Sequence, residues 1–474
     1  MKVLLACPRD PWRAGDGGVE RVVARLAGAL ASAGAEVVVC CGRLERGEAR
    51  ARREERELPG GGRVAVVEIA RPDLHHDHWQ KSLSARAGRA FEDLVALERP
   101  TVVHVHHWLR LSRDLVFRAA RQGVPSVASA HDHHASCDLS FRARPDAGGP
   151  CDAKSGTSPC VACAERVPPR AHWLPTEARW TEHALRRHDL VRELKLARVV
   201  LAPTRAHAAA LRRHLAPDLE QVAFEVLPHP APRLARLAPP ALEGPLRVAA
   251  PGRLAREKGL DCLLEAVALV ARRAPLELHL VGAAGDAATE ARLAAGIAAL
   301  EALSSVRVAR HGAYRAEELD RHPALVACHA AVLPSLALES QGLLLDECLQ
   351  LGRAVVLSDL PAWRERVEEW DAARACRFAP PGDAAALAEE LARLAQDRSA
   401  RAALVAALPA PRPAQVEESA WLAAHMAAYE RAALAGAPAA AARGEPWYEE
   451  RMRTFAEEQW DAALARSTRE QLGF

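Results

Sequence analysis

Four charged residues in the second half of the chain have the types and spacing to hold a charged, hydroxyl-rich ligand. Arg253 and Lys258 stand in Pro251-Gly-Arg253-Leu-Ala-Arg-Glu-Lys258-Gly259, and Glu339 and Glu347 in Glu339-Ser-Gln-Gly-Leu-Leu-Leu-Asp-Glu347. Two fixed cations suit a diphosphate, and carboxylates accept hydrogen bonds from ribose and sugar hydroxyls. A sugar nucleotide carries both halves. Lysine is scarce here, with five among 63 basic residues, yet one falls inside the first motif. An ammonium is a compact point charge that fits against phosphate where a planar guanidinium does not always. Taken singly these signals are weak, because a chain that is 26% charged places glutamate pairs and Arg-x4-Lys spacings on solvated helices by chance. Their position adds weight. Each motif lies where an apolar run gives way to a helical pattern, and loops at the carboxyl ends of strands face the crevice of an open α/β sheet.

The elements that must position these residues follow from the apolar periodicity. Lys2–Ala6 reads as a strand, then a Gly-bearing loop, a helix from about Gly18 to Ala33, a helix-stopping Gly34 and the strand Glu36–Cys40. Residues 46–57 read as a charged surface loop or helix end. Further strands are expected at 64–69, 101–106, 124–130 and 197–202, with a helix at 205–215. Near-continuous Val/Ala/Leu runs imply burial on both faces and hence parallel sheets. Six prolines between Leu227 and Leu246 read as an inter-domain linker. Alternation resumes with strands at 246–250, 276–281, 306–309, 329–333 and 354–357. Helices are expected at 259–273, from the Glu339 loop to Gly352, at 384–395 and at 417–431. No internal repeat is evident.

A chain of 474 residues, half of them apolar and with a net charge of +2, fits two domains of a globular protein. That balance gives no reason to expect nucleic acid as a partner. Met1–Cys7 is too short for a signal sequence core, and no uncharged run approaches the roughly 20 residues of a membrane-spanning helix. A cytoplasmic location is the expectation, with the inner face of the membrane open as a site of peripheral contact.

In this setting the chain resembles the retaining glycosyltransferases of family 4, which have the two-domain GT-B fold. The resemblance rests on Gly17-Gly18-Val-Glu-Arg, His131-Asp132 at a strand end, Arg253 with Lys258, and the Glu-x7-Glu pair, in that order, over roughly residues 1–430. It implies two Rossmann-like parallel-sheet domains facing a central cleft. Residues 1–227 would form the acceptor side, 228–245 the linker and 246–412 the nucleotide-sugar domain. Residues 413–435 would form a crossing helix, and 436–474 an Ala-rich spacer and aromatic tail.

The implied reaction moves a sugar (a hexose, on the family's pattern) from a nucleoside diphosphate to an acceptor hydroxyl with retention, and needs no cofactor. Arg253 and Lys258 would neutralise the leaving diphosphate. The helix started by Gln341, Gly342 and Leu343 would offer it backbone N–H groups, and the helix start at Gly17 and Gly18 would bind or orient phosphate or acceptor. Glu347 would accept from ribose hydroxyls, and Glu339 would face the transferred sugar. His131 would contact the sugar from the other domain, while Asp132 would either fix the His131 tautomer or serve the acceptor side. Gln341 departs from the family pattern, which has an apolar or aromatic residue there. Polysaccharide, glycolipid or glycosylated-metabolite synthesis would follow. A nucleotide-sugar epimerase and a non-catalytic nucleotide-sugar-binding assembly subunit are the competing readings.

Two further features stand outside this scheme. Cys137, Cys151, Cys160 and Cys163 are spaced x13, x8 and x2 in a loop rich in Gly, Pro and Asp. Four thiolates suit a structural zinc; four unrelated thiols, a redox disulfide and an iron–sulfur cluster are the other readings. His75, His76 and His78 cluster without standard metal spacing. The tail 446–474 holds five of the chain's 20 aromatic residues and carries six acidic against four basic residues. It is expected to pack on the protein's own body or to dock a partner.

Overall fold

Apolar runs without alternation bury both faces of a strand, and here they build two separate sheets. A computed structural model describes residues 1–13, 17–44, 51–58, 61–71, 83–144, 148–165 and 176–439. The His75–His78 cluster and the aromatic tail lie outside the described residues. The first sheet and its helices run β1 (Lys2–Cys7), α1 (Gly18–Ser32), β2 (Glu36–Leu44), β3 (Ala51–Glu57), β4 (Arg63–Arg71), α2 (Ala85–Glu98), β5 (Val102–Val105) and α3 (Leu115–Arg121). They continue through β6 (Ser126–Ser129), α4 (Ser158–Glu165), α5 (Thr176–Leu196), β7 (Val199–Ala202), α6 (Arg205–His214) and β8 (Phe224–Val226). The strand order is β3-β4-β2-β1-β5-β6-β7-β8, parallel throughout except that β3 pairs antiparallel with β4.

The second unit runs β9 (Leu246–Pro251), α7 (Leu260–Ala271), β10 (Leu276–Val281), α8 (Ala287–Glu301), β11 (Val306–Arg310), α9 (Pro323–Ala327) and β12 (Ala330–Leu333). It continues with α10 (Leu343–Leu351), β13 (Ala354–Ser358), α11 (Pro361–Glu369), β14 (Cys376–Ala379), α12 (Ala384–Gln396) and α13 (Arg398–Ala406). Its six strands are parallel in the order β11-β10-β9-β12-β13-β14. The chain first builds outward from β9 to β10 and β11, then returns to lay β12 on the other side of β9. That reversal is a topological switch point, where the loops after β9 and β12 part and leave a crevice.

One expectation is corrected. The described part of the charged segment 46–57 is a strand, β3, at the sheet edge rather than a loop or helix end. Its sequence, Ala-Arg-Arg-Glu-Glu-Arg-Glu, lacks the apolar alternation that marks a strand, because most of its side chains face solvent. Charge along an exposed edge also discourages pairing with another chain.

Residues 227–245 contain no helix or strand and are tied down at both sides. Arg25 of α1 donates to the carbonyls of Pro230 and Ala231, both at 3.2 Å. The final helix, α14 (Ala414–Ala435), returns to the first domain, where Trp421, Ala428, Tyr429 and Ala432 share a core with Val3, Leu5, Val127 and Leu201. Glu417 of this helix accepts from Ala231 N at 2.8 Å, so the linker is held between α1 and α14.

A file of imidazoles joins this helix to the cleft. His104 Nδ1 meets the Tyr429 hydroxyl and Nε2 the Ser129 hydroxyl, both at 2.8 Å. The His104 ring lies 3.8 Å from that of His106, whose Nδ1 is 2.8 Å from His131 Nε2. His131 stacks in turn on His229 of the linker, with ring centroids 5.3 Å apart. Burial disfavours the charged form of each ring. It lowers His104, His106 and His229 well below the ordinary value and His131 to about 3.

Two outcomes follow from this seam. Tyr429→Phe leaves His104 Nδ1 without its partner and is expected to cost about 1–3 kcal/mol. Equilibrium unfolding in denaturant reads this directly, and an unchanged midpoint would show that the helix docks without that bond. The second outcome concerns acid. In the fold His131, His207 and His425 titrate at about 3, 4 and 4, against 6.5 ordinarily. The unfolded chain therefore binds more protons below pH 6.5. Stability present at pH 7 is lost as the pH falls through 6.5 toward 4, by about 1.4 kcal/mol per pH unit for each such histidine. Denaturation midpoints between pH 7.5 and 5 test the sign, and a flat profile would contradict neutral buried imidazoles.

Candidate active site

The two loops that leave the switch point are locked to each other by their backbones. The Glu257 carbonyl accepts from Leu336 N at 2.9 Å and Ala337 N at 3.1 Å. Gly259, at φ 78°, ends the 3-10 turn Arg256–Lys258, and a Cβ there would lie 1.8 Å from the Pro334 carbonyl oxygen. Only glycine permits both the left-handed backbone and this approach. The lock sets Lys258 Nζ 2.6 Å from Glu339 Oε1, and Ser335 Oγ donates to the same oxygen at 2.8 Å. The Lys258 side chain is 34% exposed and that of Glu339 13%, so the pair lines the crevice without being sealed in it. Arg253 is half exposed, pairs with Glu257 one turn on, and holds its guanidinium over the Phe141 ring at 5.2 Å.

Gly342, at φ 84°, starts α10 beneath Trp363, where a Cβ would lie 1.9 Å from the indole nitrogen. First-turn N–H groups of a helix have no α-helical acceptor within it, and in α10 Leu345 N turns back to the Gly342 carbonyl at 2.9 Å. Gln341 itself is spent elsewhere. Its Oε1 accepts from His229 N at 2.8 Å, and its Nε2 donates to the His229 carbonyl at 3.2 Å and to Asp346 Oδ2 at 2.6 Å. The side chain thus fastens the linker to α10, which leaves the backbone as its means of meeting a ligand. Asp346 is the centre of this packing, its Oδ1 taking Trp370 Nε1 at 2.7 Å and Arg366 Nη2 at 3.0 Å. Its neighbour Glu347 is also buried. Glu347 Oε1 is 2.8 Å from Arg21 of α1, across the cleft, whereas Oε2 is buried with no partner. Burial raises the Glu347 carboxyl, and Arg21 opposes the shift.

From the first domain, Gly17 and Gly18 open α1 opposite α10: a Cβ on Gly18 would lie 3.7 Å from Leu343 Cδ1. The two helix starts therefore face one another. The Glu20 carboxylate fills the space over Gly17, where a Cβ would lie 2.0 Å from Oε2. Both helix starts carry an acidic residue in the first turn, Glu20 in α1 and Asp346 in α10, and the Asp346 carboxylate is taken up by Trp370, Arg366 and Gln341. The His131 carbonyl accepts from Ser340 Oγ at 2.5 Å, which ties the residue after Glu339 to the first domain. Its ring presents Nδ1 once Nε2 has met His106.

Asp132 does not hold the His131 tautomer. Its Oδ1 accepts from His134 N at 2.7 Å and its Oδ2 from His107 Nε2 at 3.3 Å. Leu109 N–H donates to His107 Nδ1 at 3.0 Å, so Nε2 is the protonated nitrogen. The His131 ring takes its partner from His106 instead.

Sequence reasoning missed Arg21, Asp346, His106 and His229. Arg21 closes the Gly17-Gly18-Val-Glu-Arg run and Asp346 precedes Glu347, so both lay inside recognised motifs without a role of their own. His104-Val-His106 read only as strand alternation. Cys137, Cys151, Cys160 and Cys163 line one pocket beside this site, Cys160 and Cys163 one turn apart on α4. Among the described residues no group of three or more His, Cys, Asp or Glu side chains is already arranged to hold a metal ion. Among those residues, too, no helix is long and apolar enough to cross a membrane.

Comparison with known proteins agrees with this geometry. The model of Glycosyltransferase Family 4 matches residues 16–223, and that of Glycosyl transferases group 1 matches residues 245–397. None of the curated proteins compared matches the sequence. Among solved structures, a sucrose-phosphate synthase from Thermosynechococcus elongatus superposes with a TM-score of 0.62 at 19% identity, covering 92% of this chain and 99% of that one. HepE from Anabaena, in complex with UDP and glucose, gives 0.56 at 15% identity over 90% and 98%. An alpha,alpha-trehalose-phosphate synthase (UDP-forming) from Burkholderia xenovorans, in complex with glucose-6-phosphate, gives 0.55 at 12% identity over 90% and 99%. At such identities the likeness is one of fold. Two family models in succession, one on each sheet, carry it further: this chain belongs to the glycosyltransferases of the GT-B fold.

Proposed function

We propose that the chain is a retaining glycosyltransferase that moves a hexose from a nucleoside-diphosphate sugar to an acceptor hydroxyl, in polysaccharide, glycolipid or glycosylated-metabolite synthesis. The observation that carries this reading is the Lys258–Glu339 pair, fixed at the switch point of the second sheet beside the start of α10. In the reaction the bond from the anomeric carbon to the diphosphate oxygen breaks, and its electron pair leaves with the phosphate. Lys258, Arg253 and the first N–H groups of α10 neutralise that charge, and preorganised donors act most strongly where water is excluded. The acceptor oxygen bonds to the same face of the anomeric carbon, and its proton passes to the departing diphosphate oxygen. Glu339 supports the developing positive charge on the sugar and shares Lys258 with the incoming diphosphate.

His131 titrates at about 3, so it orients a sugar hydroxyl as a neutral ring and does not store the acceptor proton. Glu347 keeps one oxygen on Arg21 while the other lacks a donor. A ribose hydroxyl supplies that donor and removes the cost of a buried, unpaired lone pair.

Three variants and one binding panel test the assignment. Lys258→Ala is expected to lower kcat by about 10²–10³-fold, the usual effect of deleting one stabiliser of transition-state charge. Glu339→Gln should abolish transfer while the melting temperature holds, and wild-type turnover in either variant would remove the site. Glu347→Gln should weaken nucleotide binding by about 10–100-fold in titration calorimetry, as loss of a hydrogen bond to a charged group implies. A thermal-shift panel of nucleoside diphosphates and their sugars, starting with uridine because UDP appears in the names of two structural relatives, should show one stabilising base family. Folded protein that responds to none would make a non-catalytic role the better account.

A further inference from the structure

The described parts of segment 137–163 of the first domain, 137–144 and 148–163, reach across the cleft. The Phe141 carbonyl accepts from Leu338 N at 3.1 Å, one residue before Glu339, and the Phe141 ring lies under the Arg253 guanidinium at 5.2 Å. Further along, Gly148 reaches the second domain, where a Cβ on Gly382 would lie 1.8 Å from its carbonyl oxygen. Two of the residues that handle the donor thus lean on this strap. Its described part contains little regular structure: the bridge between Ala143 and Pro150, and the helix α4.

What holds the strap together converges on sulfur. Cys151 N donates to the Arg142 carbonyl at 2.7 Å, which brings Cys151 back beside the Cys137 turn. The buried Arg142 guanidinium donates to the carbonyls of Ser136 and Ala153 and to Ser136 Oγ, binding the two arms from within. Backbone N–H groups of Leu139 and Arg142 are turned to the Cys137 sulfur. All four cysteines, free of disulfides, line the resulting pocket with Ser136, Asp138 and Arg142. A guanidinium and two N–H donors around sulfur offset the excess negative charge that four thiolates leave on a divalent ion.

We propose that Cys137, Cys151, Cys160 and Cys163 bind one zinc ion as four thiolates, and that this ion braces the strap against Arg253 and the Glu339 loop. Four thiols and one Zn²⁺ give a tetrahedral complex with bonds of about 2.3 Å and release four protons, with no change of oxidation state. The sulfurs close in on binding, since they do not yet stand as a ligand set. Soft thiolate donors in tetrahedral array select zinc over the harder divalent ions. The metal performs no step in sugar transfer. Its effect on turnover rests on the transferase reading above, whereas its presence does not.

The test uses full-length protein purified without added metal or chelator. Elemental analysis is expected to find one zinc per chain, released stoichiometrically when an organomercurial blocks the thiols. The Cys160→Ser/Cys163→Ser double variant should lose it. If that variant does not fold, cobalt(II) exchange into the wild type should give a thiolate charge-transfer absorption that saturates at one equivalent. Stripping the metal should lower the melting temperature and speed tryptic cleavage after Lys154 several-fold, with one equivalent of zinc reversing both. Metal-free native protein whose four thiols titrate, a pair of disulfides, or iron with inorganic sulfide would each overturn the zinc site. Bound zinc whose removal changes neither melting nor cleavage would overturn the brace. Zinc bound as proposed in a protein that transfers no sugar would instead refute the transferase reading and leave the site standing.

Discussion

The Glu257 carbonyl, shared by the amides of Leu336 and Ala337, is the contact on which the donor side depends. Lys258 and Glu339 leave the sheet on different crossovers, and neither side chain can find the other unless their loops are held in one register. The lock is made by backbone alone, so no rotamer freedom is lost in forming it. Gly259 makes it possible by letting the Pro334 carbonyl approach to where any side chain would stand. Asp346 does the corresponding work below the crevice. By gathering Trp370, Arg366 and Gln341 on one buried carboxylate, it fixes the start of α10 to α11 and to the linker.

A second set of bonds fixes how the domains meet. Ser340 donates to the His131 carbonyl while its own carbonyl accepts from Thr204 Oγ1 at 2.6 Å. Glu365 of α11 caps α6 of the first domain, accepting from Arg205 N and Ala206 N, both at 2.8 Å. With Arg21 on Glu347, these bonds hold the two walls of the cleft to one another.

The parts of this arrangement that were legible in the sequence are those written locally. Arg253, Lys258, Glu339 and Glu347 could be placed at the crevice because each follows an apolar strand, and the loops after strands in a parallel sheet open toward it. The parallel sheets were legible for the same reason. What could not be read lies between segments far apart in sequence. Nothing near Gln341 reveals that its side chain serves the linker, because its partner is the backbone of His229. Nothing near Asp132 reveals that His107, not His131, is its partner. The imidazole file is assembled from β5, the end of β6, the linker and α14, and no window of sequence contains it. The edge strand β3 was hidden by its own charge, which the pairing with β4 does not require to be apolar.

Several seams across the cleft end on main-chain carbonyls: those of His131, Ser340 and Phe141. Every residue type supplies a carbonyl, so the accepting end of each contact does not depend on its own side chain, whereas Ser340 and Thr204 must keep their hydroxyls as donors. The way the two halves meet is therefore separable from what lines the space between them. Substitutions at the first-domain wall can alter what the cleft admits without disturbing the frame that holds Lys258 and Glu339. A fold built in this way can change what it recognises by exchange of side chains alone, while the frame across the cleft stays as it is.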